Sequence, residues 1–262
     1  MKQRAASWTS LLLCLLSVTS HAQDNTWIED AHGCKFLHPR PEKGPPPEPL
    51  QWDGACVDGY LSGPGTASLG VQAVYTGEFK RGVMDSGEVK YRSVTYKGAL
   101  RRNSPNGHGV WSYPNGWVVE GEVGADFKLI GVVDVKLPDG THYLGGVREP
   151  GRGEIQRHGR GKLVGANGNT YEGDFQFDQP HGQGRATYAA GGFYVGQWAF
   201  GQYEGKGVYE GADGSRYEGD FLHGKLHGQV TMRNADGSLY VGQCVTGDRQ
   251  GTGRLQYADG TV

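Results

Sequence analysis

The chain reads as an all-β meander of hairpins, and three observations carry that reading. A five-residue phrase recurs at a fixed interval of 23 residues: Tyr-Glu-Gly-Asp-Phe at Tyr171 and Tyr217, Tyr-Val-Gly-Gln-Trp at Tyr194 and Tyr-Val-Gly-Gln-Cys at Tyr240. Within it Tyr217, Gly219 and Phe221 fall on one face of an extended chain and Arg216, Glu218 and Asp220 on the other, the period-2 alternation of a strand. Between copies stand Asn167-Gly168, Asp213-Gly214, Asp236-Gly237 and Asp259-Gly260, pairs suited to tight turns. A constant period of this size marks a repeat protein.

Each repeat resolves into the same succession. The phrase forms the first strand, a Gly- and His-rich loop follows, and Gly182–Tyr188 shows the second strand in its clearest copy, with small residues and a tyrosine on one face. The Asx-Gly pair then turns the chain into the next repeat. Glycine occupies 46 of 262 positions, well above the usual ~7%, but at fixed offsets, so it belongs to an ordered fold. Gly219 and Gly228 read as seats that let a neighbouring ring lie flat on the sheet.

Tyr-x-Gly-x-Phe followed by a loop and Gly-x-Gly resembles the MORN repeat family, and the agreement of period, aromatic positions and glycine positions extends over most of the chain. The resemblance implies an elongated, single-layer, twisted antiparallel sheet with two strands per repeat. It also implies a scaffold or interaction role without catalytic activity.

Taken in order, Met1 to Ala22 reads as a signal peptide. Lys2 and Arg4 open it, Leu11–Leu16 forms a short apolar core, and Ser20-His21-Ala22 fits the cleavage rule; the apolar run falls short of the ~20 residues of a spanning helix. An exported, periplasmic or cell-envelope protein of bacterial type is expected. Loss of Lys2 and Arg4 shifts the net charge from −2 to −4, which argues against nucleic acid as a partner.

Residues 23–51 form a Pro-rich lead-in with six prolines from Pro39 to Pro49, expected to be extended. Cys34 and Cys56 bracket it and are expected to pair in an oxidising compartment, contributing about 3 kcal/mol in the loop-entropy model. The array runs from residue 52 to 262. Its first unit carries Trp52 in the tyrosine slot and Cys56 in the aromatic slot; further units start at Tyr75, Tyr96, Val119 and Tyr143, giving nine with those at Tyr171, Tyr194, Tyr217 and Tyr240. The unit at Val119 lacks Gly-x-Gly, and about five extra residues lengthen the loop Arg148–Gln156. The sequence stops one residue before the position of a tenth tyrosine, so the last hairpin is expected to present an edge to a second copy.

The candidate sites are few. Tyr171, Gly173, Phe175, Tyr194, Gly196, Trp198, Tyr217, Gly219, Phe221, Tyr240 and Gly242, with Trp52, Tyr75, Tyr96 and Tyr143, form the periodic aromatic and glycine row. It reads as a thin core, with exposed rings that stack on glycan as the alternative. Arg148, Arg152, Arg157, Arg160 and Lys162 form a candidate anion-binding loop. His108, His158, His181 and His227 recur before loop glycines and read as loop hydrogen-bonders, since the period spreads them too far to converge on a metal. Glu172, Asp174, Glu218 and Asp220 lie in solvated rows rather than a catalytic cleft. Cys244 reads as a packing thiol, with intermolecular pairing as its alternative. No cofactor, metal or catalytic residue is expected. The function expected is a non-catalytic scaffold for protein partners or self-assembly through a sheet edge. The alternative is a binding module for anionic lipid headgroups or envelope glycan, with peripheral membrane contact.

Overall fold

A computed structural model describes residues 25–39, 48–124, 128–151 and 154–262; the signal-peptide reading lies outside them. The described residues form 21 strands and no helix, so the all-β antiparallel reading holds. The chain divides into two units. One runs to Pro138 and includes Val147–Ile155; the other comprises Asp139–Gly146 and Gln156–Val262.

In the N-terminal unit, β1 (Thr26–Glu29) and β2 (Lys35–His38) make a hairpin. The short β3 (Gln51–Trp52) and β4 (Ala55–Val57) pair with β5 (Tyr60–Leu69). From there the meander is regular: β6 (Ala73–Phe79), β7 (Ser86–Tyr91), β8 (Val94–Arg101), β9 (Ser104–Ser112), β10 (Val118–Val123) and β11 (Leu129–Lys136) each pair antiparallel with the strand before. The lead-in is therefore partly folded. Phe36 is completely buried on Tyr75, 5.0 Å between centroids, and Phe79 at 6.2 Å, so β2 adds a second layer over that part of the sheet. Cys34 and Cys56 are disulfide-bonded, Cα–Cα 5.8 Å. In the repeat without Gly-x-Gly, Val119, Val133 and Val135 are buried where rings and glycines pack elsewhere.

The strand β12 (His142–Gly151) is shared between the units. The C-terminal unit continues with β13 (Glu154–Val164), β14 (Thr170–Gln176), β15 (Gln179–Thr187), β16 (Gly192–Ala199), β17 (Gln202–Gly211), β18 (Arg216–Leu222), β19 (Lys225–Arg233), β20 (Leu239–Val245) and β21 (Asp248–Gln256). From β13 onward each pairs antiparallel with the next.

Two kinds of turn alternate. First and second strands of a repeat are joined by two-residue loops with positive φ at both residues, as at Phe177-Asp178, Phe200-Gly201, His223-Gly224 and Thr246-Gly247. That is the twist-matched hairpin turn. Repeats are joined by longer turns in which an Asx side chain accepts the backbone N–H two residues on, as Asp213 from Ser215 at 2.9 Å and Asp236 from Ser238 at 2.8 Å. The tight turns thus fall where a Gly- and His-rich loop was expected. β15 begins at Gln179, ahead of the expected Gly182, because a bulge opposite Gly173/Asp174 absorbs the irregular residues and lets pairing continue to the tip. The extra residues after Arg148 likewise extend strands β12 and β13.

Candidate functional site

The repeating row is built around one arrangement. A tyrosine ring lies back across two glycines on paired strands, and its hydroxyl donates to the carbonyl three residues on. Tyr171 donates to Asp174 O at 2.8 Å, Tyr194 to Gln197 O at 2.9 Å, Tyr240 to Gln243 O at 2.8 Å, Tyr143 to Gly146 O at 2.6 Å and Tyr96 to Ala99 O at 2.7 Å. Trp52 does the same from its indole, Nε1 to Ala55 O at 2.9 Å. The seat is the facing glycine: a Cβ on Gly184 would stand 2.3 Å from Tyr171 Oη, and one on Gly207 2.3 Å from Tyr194 Oη. Burial pushes the phenol pKa up for Tyr96, Tyr143, Tyr171 and Tyr194, to about 12 for Tyr96 and Tyr143.

These rings form the core of the sheet. Tyr171, Phe175, Tyr194, Trp198, Phe221 and Tyr240 are buried and meet edge to face, as Tyr171 on Trp198 at 5.1 Å and Tyr194 on Phe221 at 5.2 Å. Gly173 and Gly242 lie under the rings of their own strands. Cys244 is buried in the same row, Sγ 3.9 Å from Met232 Sδ, and burial raises its thiol pKa.

Besides the unit at Val119, which has no ring in that slot, two repeats break the arrangement. At Tyr217 the residue facing Gly219 is Val230, whose Cγ1 would stand 2.9 Å from a Cβ on that glycine. The ring cannot lie there and stacks instead on Tyr209, 5.8 Å away at 20°. At Tyr75 the groove over Gly77 and Gly87 is filled by Met84 Sδ, and the ring turns to Phe36 and Tyr91. The glycines expected as seats differ accordingly. Gly219 faces Val230, and Gly228 is a bulge residue with φ +70; the seats are Gly184, Gly207 and Gly253, two positions beyond the bulge glycines.

Within the basic cluster, Arg157 lies on the opposite face from Arg160 and Lys162. Arg157 is buried on the ring face: Nε is 3.4 Å from Asp178 Oδ1, a terminal nitrogen donates to Asp178 O at 2.6 Å, and the guanidinium lies 5.3 Å from the Phe175 ring. Arg160 and Lys162 lie exposed on the polar face, opposite Asp174 and Glu172 on β14. Arg148 is half-buried on β12, and Arg152 lies outside the described residues. The histidines are strand residues, His181 opposite Asp174 and His227 opposite Asp220. Among the described residues no group of three His, Cys, Asp or Glu side chains is placed to hold a metal. The acidic rows stay on the polar face and carry ion pairs such as Lys206–Asp220 at 3.4 Å and Arg216–Glu210 at 3.6 Å.

A second group escaped the reading of the sequence: Trp27 and Tyr60, edge to face at 5.3 Å, with the Arg81 guanidinium 4.7 Å from the Tyr60 ring. Its signal was present, since Lys80-Arg81 and Arg101-Arg102 each stand five and six residues after a repeat tyrosine.

A model of the MORN repeat matches residues 75–85, 96–118, 155–170, 171–193, 194–216, 217–239 and 240–262, more than half of the chain. No curated protein matches. Among solved structures, the TCP10 domain of CPAP from Danio rerio is 14% identical, covering 74% of this chain and 89% of that one with a TM-score of 0.40. The same domain with a STIL peptide gives 13%, 80%, 89% and 0.42. The Drosophila melanogaster SAS-4 TCP domain with a proline-rich motif of Ana2 gives 16%, 58%, 79% and 0.36. At such scores the likeness says nothing about this chain's partners.

Proposed function

Because the chain belongs to the MORN repeat family, we propose that it is a non-catalytic scaffold that binds protein partners, exported to the cell envelope. The single observation that carries this is the division of labour within a repeat. The rings are consumed by the core, while the two-residue tips and the polar face present side chains that change from repeat to repeat: Asp58, Arg81, Arg102, Phe177, Phe200, His223 and Thr246 occupy one turn position. A constant frame with variable exposed positions is what repeat proteins use for recognition.

Export is supported by residues 1–22 and by the Cys34–Cys56 disulfide, which persists in oxidising compartments. Self-association through a sheet edge is the second form of the same reading. The lipid or glycan module has less support, since the ring row is buried and Arg157 is paired with Asp178.

A photo-reactive benzophenone residue placed at Phe200 or Lys206 of the full chain tests the reading in the native host. Cross-links to defined proteins, or to a second copy, are expected. Adducts confined to lipid or glycan at both positions would overturn it.

A further inference from the structure

In the N-terminal unit two neighbouring hairpins end in strongly basic tips, Lys80-Arg81-Gly82-Val83 and Arg101-Arg102-Asn103-Ser104. They are fixed to each other and to the lead-in by one buried side chain. Asn103 Nδ2 donates to Gly82 O at 3.0 Å and Leu37 O at 2.8 Å, and its Oδ1 accepts from Met84 N at 2.6 Å. Gly82 N in turn donates to Leu61 O at 2.9 Å. The tips are therefore braced on three sides.

On this base sits an aromatic pair. Trp27 crosses the first tip so closely that a Cβ on Gly82 would be 2.8 Å from its ring, and it packs edge to face on Tyr60. Arg81 lies over Tyr60 at 4.7 Å and Lys35 Nζ approaches the same ring at 5.9 Å. Trp27 remains 46% exposed. Lys80, Arg81, Arg101 and Arg102 are all exposed, and none makes a salt bridge among the described residues. The one ion pair in the group joins Lys35 to Glu29 at 3.8 Å.

Folding does not require these arginines. Arg81 and Arg102 have φ +50 and +53, a region that Asn, Asp and Gly enter at least cost and that costs other residues on the order of 1 kcal/mol. Asp58 holds the same position one hairpin earlier, and Phe, His or Thr hold it in the other unit.

We propose that Trp27, Tyr60 and Arg81, with Lys80, Arg101 and Arg102, form a docking site for an acidic extended segment of a protein partner. The proposal rests on the protein-binding reading above and names the partner's chemistry. Trp, Tyr and Arg are the residues that dominate binding energy at protein interfaces, and four cations without a salt bridge among the described residues call for carboxylates. Tips two strands apart are about 10 Å apart, so acidic residues about three positions apart in an extended segment reach both. A bilayer would meet a broad basic face, whereas exposed Glu78 and Asp85 flank Lys80-Arg81 in the chain and exposed Asp58 stands at the preceding tip, on a chain of net charge −2.

The test is fluorescence anisotropy with the full oxidised chain and a labelled peptide carrying glutamate at every third position, with a glutamine version as control. Salt-sensitive binding of the glutamate peptide alone is expected. The variant Arg81→Asn/Arg102→Asn, which suits positive φ and keeps the fold, should weaken it roughly tenfold or more, and Trp27→Ala should weaken it further. No binding, or equal binding by the Asn variant, overturns the site. Binding of phosphatidylglycerol vesicles, lost in the Asn variant, with none of the peptide also overturns it, in favour of a membrane surface. Protein cross-links from Phe200 that persist while this site fails would leave the scaffold reading intact.

Discussion

Gly207 lies directly against the Tyr194 hydroxyl across the paired strands β16 and β17: a methyl group on that glycine would come within 2.3 Å of the oxygen. The ring, its hydrogen bond to Gln197 O and the missing side chain therefore make one unit. Gly207→Ala should destabilise the C-terminal unit by about 1–3 kcal/mol through overpacking. Ala at Gly214, where no atom lies within 4 Å of an added Cβ, should cost only the strain of its φ of +82. Urea unfolding of the two variants gives the comparison.

The same logic separates two tyrosines. Tyr194→Phe removes the donor to Gln197 O, a part-buried contact, and should cost about 1 kcal/mol. Tyr217→Phe should be close to neutral, because Val230 keeps that ring out of the groove. Equal losses in thermal unfolding would show that the groove does not set the difference.

The buried arginine is held by its carboxylate. Asp178→Ala removes the Asp178 carboxylate from the buried Arg157 guanidinium and should cost about 3 kcal/mol. Arg157→Met should cost much less, since an apolar chain suits the contact with Phe175 and Tyr143. Chemical unfolding of both single variants and the double variant measures the coupling.

Asn103 should matter more than its surface neighbours. Asn103→Ala leaves Leu37 O, Gly82 O and Met84 N without this partner and should destabilise the N-terminal unit by about 3 kcal/mol, with one to several kcal/mol typical when buried polar groups lose partners. Reduction of Cys34–Cys56 should cost about as much in the loop-entropy model. Protease cleavage between Thr26 and His38 should increase in either case and most in the reduced Asn103→Ala chain.

Alkali should unfold the chain cooperatively. Burial raises the folded-state pKa of Tyr96 and Tyr143 to about 12 and lifts those of Tyr171 and Tyr194 as well. A phenol whose pKa is raised on folding favours the native state while both states are protonated. That stability is full below the ordinary value near ~10 and is lost as pH rises beyond it. Tyrosinate absorbance should therefore lag behind that of free tyrosine and then rise together with loss of sheet circular dichroism. Independent titration near the ordinary value would contradict the burial of the rings.

Acid acts on the turns. The carboxyls of Asp213, Asp236 and Asp259 are held below their ordinary range by hydrogen bonds from Ser215, Ser238 and Thr261. Their contribution is present above the unfolded value and is lost as pH falls below ~4. Amide exchange at Ser215 and Ser238 should accelerate there before the ring core opens.

The sequence by itself determined the hairpin meander, the strand faces, the places where the chain turns and the ring row as core, because period-2 alternation and glycine offsets are local properties of the chain; which of the turns are the tight ones it did not. It also indicated the Cys34–Cys56 pair. Only the tertiary structure decided which rings are seated, since a seat depends on the residue across the ladder: Gly207 admits Tyr194, Val230 excludes Tyr217 and Met84 displaces Tyr75. It likewise set Asp178 beside Arg157, so that the guanidinium is held among the rings while Arg160 and Lys162 stay outside. The lead-in hairpin, Asn103 and the Trp27–Tyr60–Arg81 group were decided by contacts between segments far apart in the chain, and no local period encodes those.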